Sequence, residues 1–242
     1  MTARLLLIED DASIARFVEM ALEDLPGVEL HVATRLSQAR TALASGHWHL
    51  VISDLMLPDG SAESLLAEGR AQAAGAPPWV VFSAGLQPER LLALQALGVT
   101  RTLRKPVPLA ELLSTVTELL HGQASAASPA PAPAAAAEQA LPATLHTHFG
   151  GDRALFEHFR AGCLERFADD IAQGDAAVAA DDADELRRVA HGLKAVLELL
   201  GHPDLSIQAL VLEEAAAHSS TLPTTGWTVL RRSLQALRNA RH

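Results

Sequence analysis

The sequence predicts two folded domains of different class: a doubly wound α/β domain with a five-stranded parallel sheet, followed by an all-α four-helix-bundle domain. Three observations support this prediction. Short apolar runs alternate with amphipathic stretches over residues 1–121, a segment rich in Ala and Pro follows at 122–140, and helical periodicity alone fills residues 141–242. We therefore interpret residues 122–140 as a linker between the two domains.

The five predicted strands are the apolar runs at residues 5–8, 28–32, 50–52, 80–82 and 100–103. Runs that are apolar without alternation are typical of strands buried on both faces, as in a parallel sheet. Because right-handed crossovers place the intervening helices on both faces of the sheet, this pattern predicts a doubly wound domain.

The predicted helices of the second domain carry apolar residues three and four positions apart. They cover residues 152–180, 181–200, 204–218 and 224–241, and proline-containing breaks lie at 201–203 and 222–223. A shorter helix is predicted at 143–149, where the two glycines at 150 and 151 end it. Long amphipathic helices joined by short breaks predict a bundle.

The composition limits the partners of this chain. Its net charge is −10 and only 4% of its residues are aromatic, so no nucleic acid partner is expected. No apolar stretch approaches the roughly 20 residues that span a bilayer, so no membrane contact is expected. The single cysteine, Cys163, leaves no internal disulfide and no CxxC metal site. We therefore expect a soluble protein of the reducing cytoplasm.

Polar side chains follow the predicted strands of the first domain at the point where each strand ends. They are Glu9, Asp10 and Asp11 after the first strand, Asp54 after the third, Ser83 after the fourth and Lys105 after the fifth. The carboxyl ends of neighbouring parallel strands line one crevice, so these groups are expected to form one site. Acidic residues in such positions also cap helices, and capping is the alternative role of Asp10 and Asp59.

Clustered carboxylates at this edge need a cation, a shared proton or both. Two carboxylates about 4 Å apart repel each other by about 4 kcal/mol at an effective dielectric constant near 20. Ligands that are all oxygen select a hard ion, and Mg²⁺ suits best because it accepts a few carboxylates while keeping water and a phosphate oxygen. Lys105 and Ser83 offer a positive charge and a hydroxyl to the other oxygens of a phosphoryl group.

Four segments of the first domain resemble the receiver domain of two-component response regulators, which has a flavodoxin-like fold. These segments are IEDD at 8–11, SDLMLPDG at 53–60, FSA at 82–84 and RKP at 104–106, and the resemblance covers residues 4–120. By position, it implies the roles of five residues. Asp54 is the phosphoacceptor, Glu9 and Asp10 are the metal-binding acidic pair, Met56 offers its backbone carbonyl to the metal, and Ser83 is the hydroxyl residue.

The same resemblance implies that Lys105 holds the phosphoryl group and that a cis bond precedes Pro106, with Asp11 as a flanking acid. The chain departs from the family at Thr102, three positions before the lysine, where receivers commonly carry an aromatic residue that rotates inward on phosphorylation. A receiver without that aromatic residue fits a phosphate relay or sink.

A histidine lies on the helix predicted at 181–200. At about 100° per residue, His191 is nearly opposite the apolar stripe of that helix, so a solvent-facing imidazole is expected. Its neighbours Arg187, Arg188 and Lys194 can stabilise phosphoryl oxygens on the ring, and Gly192 leaves the approach open. The alternative is an ordinary exposed histidine on a helix face.

Three segments of the second half resemble the histidine-containing phosphotransfer (HPt) domain. They are AHGLKA at 190–195, LG at 200–201 and LEEA at 212–215, and the resemblance covers roughly residues 141–242. It implies that His191 accepts and donates a phosphoryl group, assisted by Lys194. The family usually has Gly at the position of Ala195. Because no ATP-binding region accompanies these motifs, we expect a stoichiometric phosphoryl carrier and not a kinase.

Together these features predict a phosphorelay protein that accepts a phosphoryl group on Asp54 and carries one through His191, in either direction. The expected partners are a sensor histidine kinase, other receiver domains, or both. One alternative is an adaptor in which phosphorylation of Asp54 only regulates partner binding by the bundle. Another is an aspartate-based phosphatase, which is disfavoured because Met56 stands where such hydrolases usually place a general acid.

Overall fold

The computed structural model of the chain describes residues 2–83, 88–121, 143–218 and 221–240. The described part of the first domain contains seven strands: β1 (Ala3–Ile8), β2 (Val28–Ala33), β3 (Leu50–Ser53), β4 (Met56–Leu57), β5 (Gly60–Ser61), β6 (Trp79–Ser83) and β7 (Arg101–Arg104). Five of them form one parallel sheet in the order β2-β1-β3-β6-β7. The predicted five-stranded parallel sheet is therefore confirmed.

The small β4–β5 hairpin, with antiparallel strands of two residues each, was not predicted. A strand of this length is too short to show any apolar periodicity. The hairpin begins two residues after Asp54, and its second strand starts directly after the turn with Gly60, whose φ of +139° lies in a region that side chains rarely adopt.

Helices cover both faces of the sheet, namely α1 (Ala12–Leu22), α2 (Leu36–Ser45), α3 (Glu63–Ala67), α4 (Pro88–Ala96) and α5 (Leu109–His121). Successive strand residues point to opposite faces, so that Leu5 and Leu7 join one apolar cluster while Leu6 and Ile8 join the other. All four are fully buried. Strands that are apolar at every position are thus explained by burial on both faces.

The second part of the chain is helical, with α6 (Ala143–Phe149), α7 (Arg153–Ala179), α8 (Ala183–Leu199), α9 (Pro203–His218) and α10 (Thr224–Asn239). The helix α7 packs against α8 and α10, and α9 packs against the same two helices. Asp152 and Asp182 cap the starts of α7 and α8 by accepting hydrogen bonds from backbone N–H groups. These helices lie where the sequence predicted them, whereas the predicted linker at 122–140 lies outside the described residues.

The two domains share one apolar core. Phe17 on α1 is only 2% exposed, and its ring centroid lies 5.6 Å from that of Phe149 and 5.8 Å from that of Phe159, both in edge-to-face geometry. The helices α7 and α8 both contact α1. This contact places α8 over the carboxyl ends of the strands, an arrangement that the sequence did not predict.

Candidate functional site

The carboxyl ends of three strands bring Asp54, Glu9 and Lys105 together. The Lys105 ammonium donates hydrogen bonds to Glu9 Oε2 at 2.5 Å and to Asp54 Oδ2 at 2.6 Å. These three residues are between 1% and 5% exposed. Strand register explains part of this convergence, because Ile8 and Ser53, the last residues of β1 and β3, pair with each other. β6 and β7 run two residues further, to the Ser83–Arg104 pair that directly precedes Lys105.

The two carboxylate oxygens of Asp54 have different surroundings. Oδ1 accepts hydrogen bonds from the backbone N–H groups of Leu55 at 2.5 Å and Met56 at 3.2 Å. Oδ2 accepts from Lys105 and faces away from the backbone. Burial raises the pKa of Asp54, but the charges of Lys105 and His191 and these hydrogen bonds outweigh it, so its pKa is lowered. Asp54 is therefore ionised, with Oδ2 as its outward oxygen.

Glu9, Asp10 and Asp54 each offer a carboxylate oxygen, and these atoms lie within 4.8 Å of one another. Burial, together with the charges of Asp54 and Asp11, raises the pKa of Asp10 to about 6. Burial and the same two charges raise the pKa of Glu9 well above its usual value, although Lys105 counteracts them. Crowded acidic oxygens of this kind fit a hard divalent cation such as Mg²⁺. Met56, whose carbonyl was predicted as a ligand, is half-buried beside Asp54.

One ring nitrogen of His191, on α8, is hydrogen bonded to Glu213, and the other faces Asp54. Its Nδ1 lies 2.6 Å from Glu213 Oε1. Among the described residues, its buried Nε2 has no hydrogen-bond partner, and it lies 3.9 Å from Asp54 Oδ2. The side chain is only 15% exposed, so the expectation of a solvent-facing imidazole is wrong. The polar face of α8 is covered because the first domain packs on it.

Glu213 on α9 joins His191 to Lys194. Its second oxygen, Oε2, accepts a hydrogen bond from the Lys194 ammonium at 2.6 Å. Burial raises the pKa of Glu213, but His191 and Lys194 outweigh it and lower the pKa to about 2. The sequence predicted that Lys194 stabilises phosphoryl oxygens, whereas in the structure the Lys194 ammonium is hydrogen bonded to Glu213. The sequence interpretation gave Glu213 no role, although it lies within the LEEA segment that carried the HPt resemblance.

Residues 5–117 match the family model described as the response regulator receiver domain. The chain contains a response regulator receiver domain. Such domains serve two-component signalling, in which an aspartate is phosphorylated, and they interact with histidine kinases or phosphotransfer partners.

Two curated relatives extend this comparison. The chain is 28% identical over 204 residues to the sensory/regulatory protein RpfC of Xanthomonas campestris pv. campestris, a match that covers 81% of this chain and 28% of RpfC. It is 33% identical over 124 residues to the swarming motility regulation protein RssB of Serratia marcescens, covering 51% of this chain and 56% of RssB. A match over 81% of the chain reaches both domains, and the chain spans less than two thirds of either relative.

Among solved structures, the chain resembles the chemotaxis response regulator CheY4 of Vibrio cholerae. The sequence identity is 26%, the match covers 50% of this chain and 100% of that structure, and the TM-score is 0.45. In the part of the chain that the structure describes, no helix combines the length and apolar character needed to cross a bilayer.

The remaining predicted residues of the receiver domain lie around the same edge. Ser83 ends β6 and is 9% exposed, and it lines a cleft of about 1140 Å³ together with Asp54 and His191. The Lys105–Pro106 bond is cis, as the resemblance implied. Thr102 is half-buried on β7, where it pairs with Val81.

Helix capping in the receiver domain falls to Asp11 and Asp59. Asp11 Oδ1 accepts hydrogen bonds from two backbone N–H groups at the start of α1, at 2.8 and 3.1 Å. Asp59 accepts two at the start of α2, at 2.6 and 3.0 Å. The alternative role considered for Asp59 therefore applies, whereas Asp10 faces the acidic cluster.

A second, smaller cavity of about 420 Å³ lies between the receiver domain and α7 and α8. Arg188 lines it, paired with Glu185 on its own helix and 3.8 Å from Asp10 Oδ2 of the receiver domain. Gly192 lines it too, and a methyl group on its Cα would overlap Asp11 Oδ2. A side chain larger than that of glycine would therefore require Asp11 to shift or α8 to move away from the receiver domain.

Proposed function

We propose that this chain is a phosphorelay protein in which the receiver domain and a four-helix-bundle HPt domain exchange a phosphoryl group between Asp54 and His191. One observation carries the proposal: the buried Nε2 of His191, which has no hydrogen-bond partner among the described residues, lies 3.9 Å from Oδ2 of Asp54. Phosphoryl transfer needs a donor and an acceptor atom in line with the phosphorus between them. Two nucleophilic atoms facing each other at this distance support that arrangement.

The hydrogen bond to Glu213 selects the reactive nitrogen of His191. A carboxylate only accepts hydrogen bonds, so Nδ1 carries a proton, and in the neutral ring, the form that attacks phosphorus, the lone pair resides on Nε2. A phosphoryl group on Nε2 makes the ring cationic, and the Glu213 carboxylate stabilises that charge. On transfer, the Nε2–P bond breaks and its electron pair returns to the ring, while a lone pair of Asp54 Oδ2 forms the new O–P bond. No proton has to move, and the reverse step uses the same atoms.

Positively charged side chains around the site would stabilise the negative charge of the phosphoryl group. Lys105 donates to the oxygen of Asp54 that bonds to phosphorus, and Arg188 lines the cavity beside it. Ser83 lies in the cleft on the other side of Asp54 and offers a hydroxyl. Glu9, Asp10, Asp54 and the Met56 carbonyl would hold Mg²⁺, which supplies a positive charge to the phosphoryl oxygens.

We further propose that the chain is a stoichiometric carrier. Each domain offers one phosphoacceptor, and the exchange between them consumes no nucleotide. The phosphoryl group would therefore enter from a sensor histidine kinase or a receiver domain and leave to a partner of the same kind. A histidine kinase offers a phosphohistidine to Asp54, and a receiver domain offers an aspartate to His191. Each transfer therefore passes the phosphoryl group between a histidine and an aspartate, as the exchange within this chain does.

Phosphoryl tracing tests this function. The protein is loaded with labelled acetyl phosphate in MgCl₂, and wild type is compared with Asp54→Asn and His191→Gln. Matched controls are Asp24→Asn and His218→Gln, because both of these side chains are exposed. We expect alkali-stable label on His191 only when Asp54 is intact. Label that remains on Asp54, with His191→Gln indistinguishable from wild type, would instead identify the helical domain as an adaptor.

A further inference from the structure

The helix α1 of the receiver domain has two apolar faces. One face, which includes Val18, is fully buried in the apolar cluster that also contains Leu5 and Leu7 of β1. The other carries Phe17, whose ring lies edge-on against Phe149 of α6 and Phe159 of α7. A single amphipathic stripe would suffice for a helix that covers only its own sheet. The second face is therefore an interaction surface.

Further contacts surround Phe17 along the same boundary. Arg16 Nη2 lies 3.2 Å from His158 Nε2 on α7. Ser13 and Cys163, which is 2% exposed, line the same cavity on this boundary. Both pairs join α1 to α7, so polar and apolar contacts hold the same two helices together.

This docking closes both phosphoacceptors to other proteins. Asp54 is 2% exposed, and Nε2 of His191 is buried against it. A separate kinase or receiver domain must bring its own histidine or aspartate within bonding distance of one of these atoms. It cannot do so while α8 lies over the strand ends.

We propose that the Phe17 face of α1 is an intrachain docking surface whose partner is the α6–α7 face of the same chain, and that it restricts phosphoryl exchange to the Asp54–His191 pair until it opens. This inference rests on the proposed function. Domains joined in one chain have an effective concentration on the order of millimolar. A separate receiver domain at about micromolar concentration is therefore outcompeted by a factor of about a thousand while the domains stay docked.

Two variants perturb this surface in opposite directions. Phe17→Ala removes the ring that enters the aromatic cluster and opens the docked form. Ser13→Cys places a second cysteine beside Cys163, the only one in the natural sequence, so oxidation links α1 to α7 and locks the docked form. Ser13→Ala, treated with the same oxidant, is the control for the lock. Leu92→Ala is the control for Phe17→Ala, since Leu92 is 67% exposed.

The assay follows labelled phosphate from preloaded donor chains to a tagged second copy that carries Phe17→Ala and His191→Gln. We expect the Phe17→Ala donor to transfer at least about tenfold faster than wild type. The oxidised Ser13→Cys donor should transfer none until reductant is added, while both controls behave as wild type. Equal transfer from wild-type, open and locked donors would overturn the docking inference but leave phosphohistidine in place. Absence of label on His191 in every donor would overturn the proposed function itself.

Discussion

Replacing Glu213 by glutamine tests how the chain stabilises phosphohistidine. The Glu213 carboxylate accepts from His191 Nδ1 and from Lys194 Nζ, each at 2.6 Å. Glutamine replaces one of the two carboxylate oxygens by an NH₂ donor, so one of the two separate acceptor atoms is lost, and it carries no charge to oppose the cationic ring. Glu213→Gln is therefore expected to shift the exchange equilibrium from His191 towards Asp54.

The size of this shift follows from the kind of hydrogen bond that is lost. A hydrogen bond to a charged group contributes about 1.5–3 kcal/mol, against about 0.5–1.5 kcal/mol for a neutral one. The difference is about 1–2 kcal/mol, which changes the ratio of phosphohistidine to phosphoaspartate by roughly 5- to 30-fold.

The ratio is measured by loading the protein with labelled acetyl phosphate and dividing the label into alkali-stable and acid-stable fractions at equilibrium. Glu214→Gln is the matched control, because Glu214 is the exposed neighbour of Glu213 on the same helix. A Glu213→Gln ratio within about twofold of wild type would refute the role of this carboxylate, since the lost bond predicts at least about fivefold.

Three further predictions concern stability, pH and packing. The lowered pKa of Glu213, about 2 against an ordinary 4.5, gives the folded protein about 3 kcal/mol that is present above pH 4.5 and lost as the pH falls towards 2. The stability difference between wild type and Glu213→Gln in urea should shrink over that range, and a constant difference would contradict the shift. Lys105→Met leaves two buried carboxylates unpaired and should lower the free energy of unfolding by about 3–5 kcal/mol at pH 7, with partial recovery in MgCl₂. An unchanged urea midpoint would be the contrary result. Gly192→Ala should raise the stability of helix α8 by about 1 kcal/mol, because alanine has the higher helix propensity. It should also slow phosphoryl transfer from Asp54 to His191, because the new methyl group meets Asp11. Unchanged transfer kinetics would show that the close approach of α8 is unimportant.

Much of the fold could be predicted because buried strands and helix faces have recognisable patterns of apolar residues in the sequence. The strands of the sheet are buried on both faces and were visible as uninterrupted apolar runs, such as the one that contains Leu50. The meeting of Glu9, Asp54 and Lys105 followed from the rule that parallel strands end at one edge of a sheet. β1 and β3 end level in register, which explains why that rule was sufficient for Glu9 and Asp54.

The contact between the domains could not be predicted in the same way. Helical periodicity located the apolar stripe of α8 and placed His191 opposite it, but it could not show what covers the polar face. Phe17 is equally ambiguous in sequence, since a buried aromatic residue on α1 fits the core of its own domain. Glu213 lay within a segment that carried a resemblance, yet its role depends on the distance between α8 and α9.

The most direct test of exchange within one chain is the kinetics of a single turnover. Chains labelled on Asp54 are followed as label appears on His191, over about a hundredfold range of protein concentration. We predict a first-order rate constant that does not change with concentration, and negligible transfer when Asp54→Asn and His191→Gln chains are mixed at micromolar concentration. A rate that rises in proportion to concentration, with the mixed variants transferring as fast as wild type, would contradict exchange within the chain.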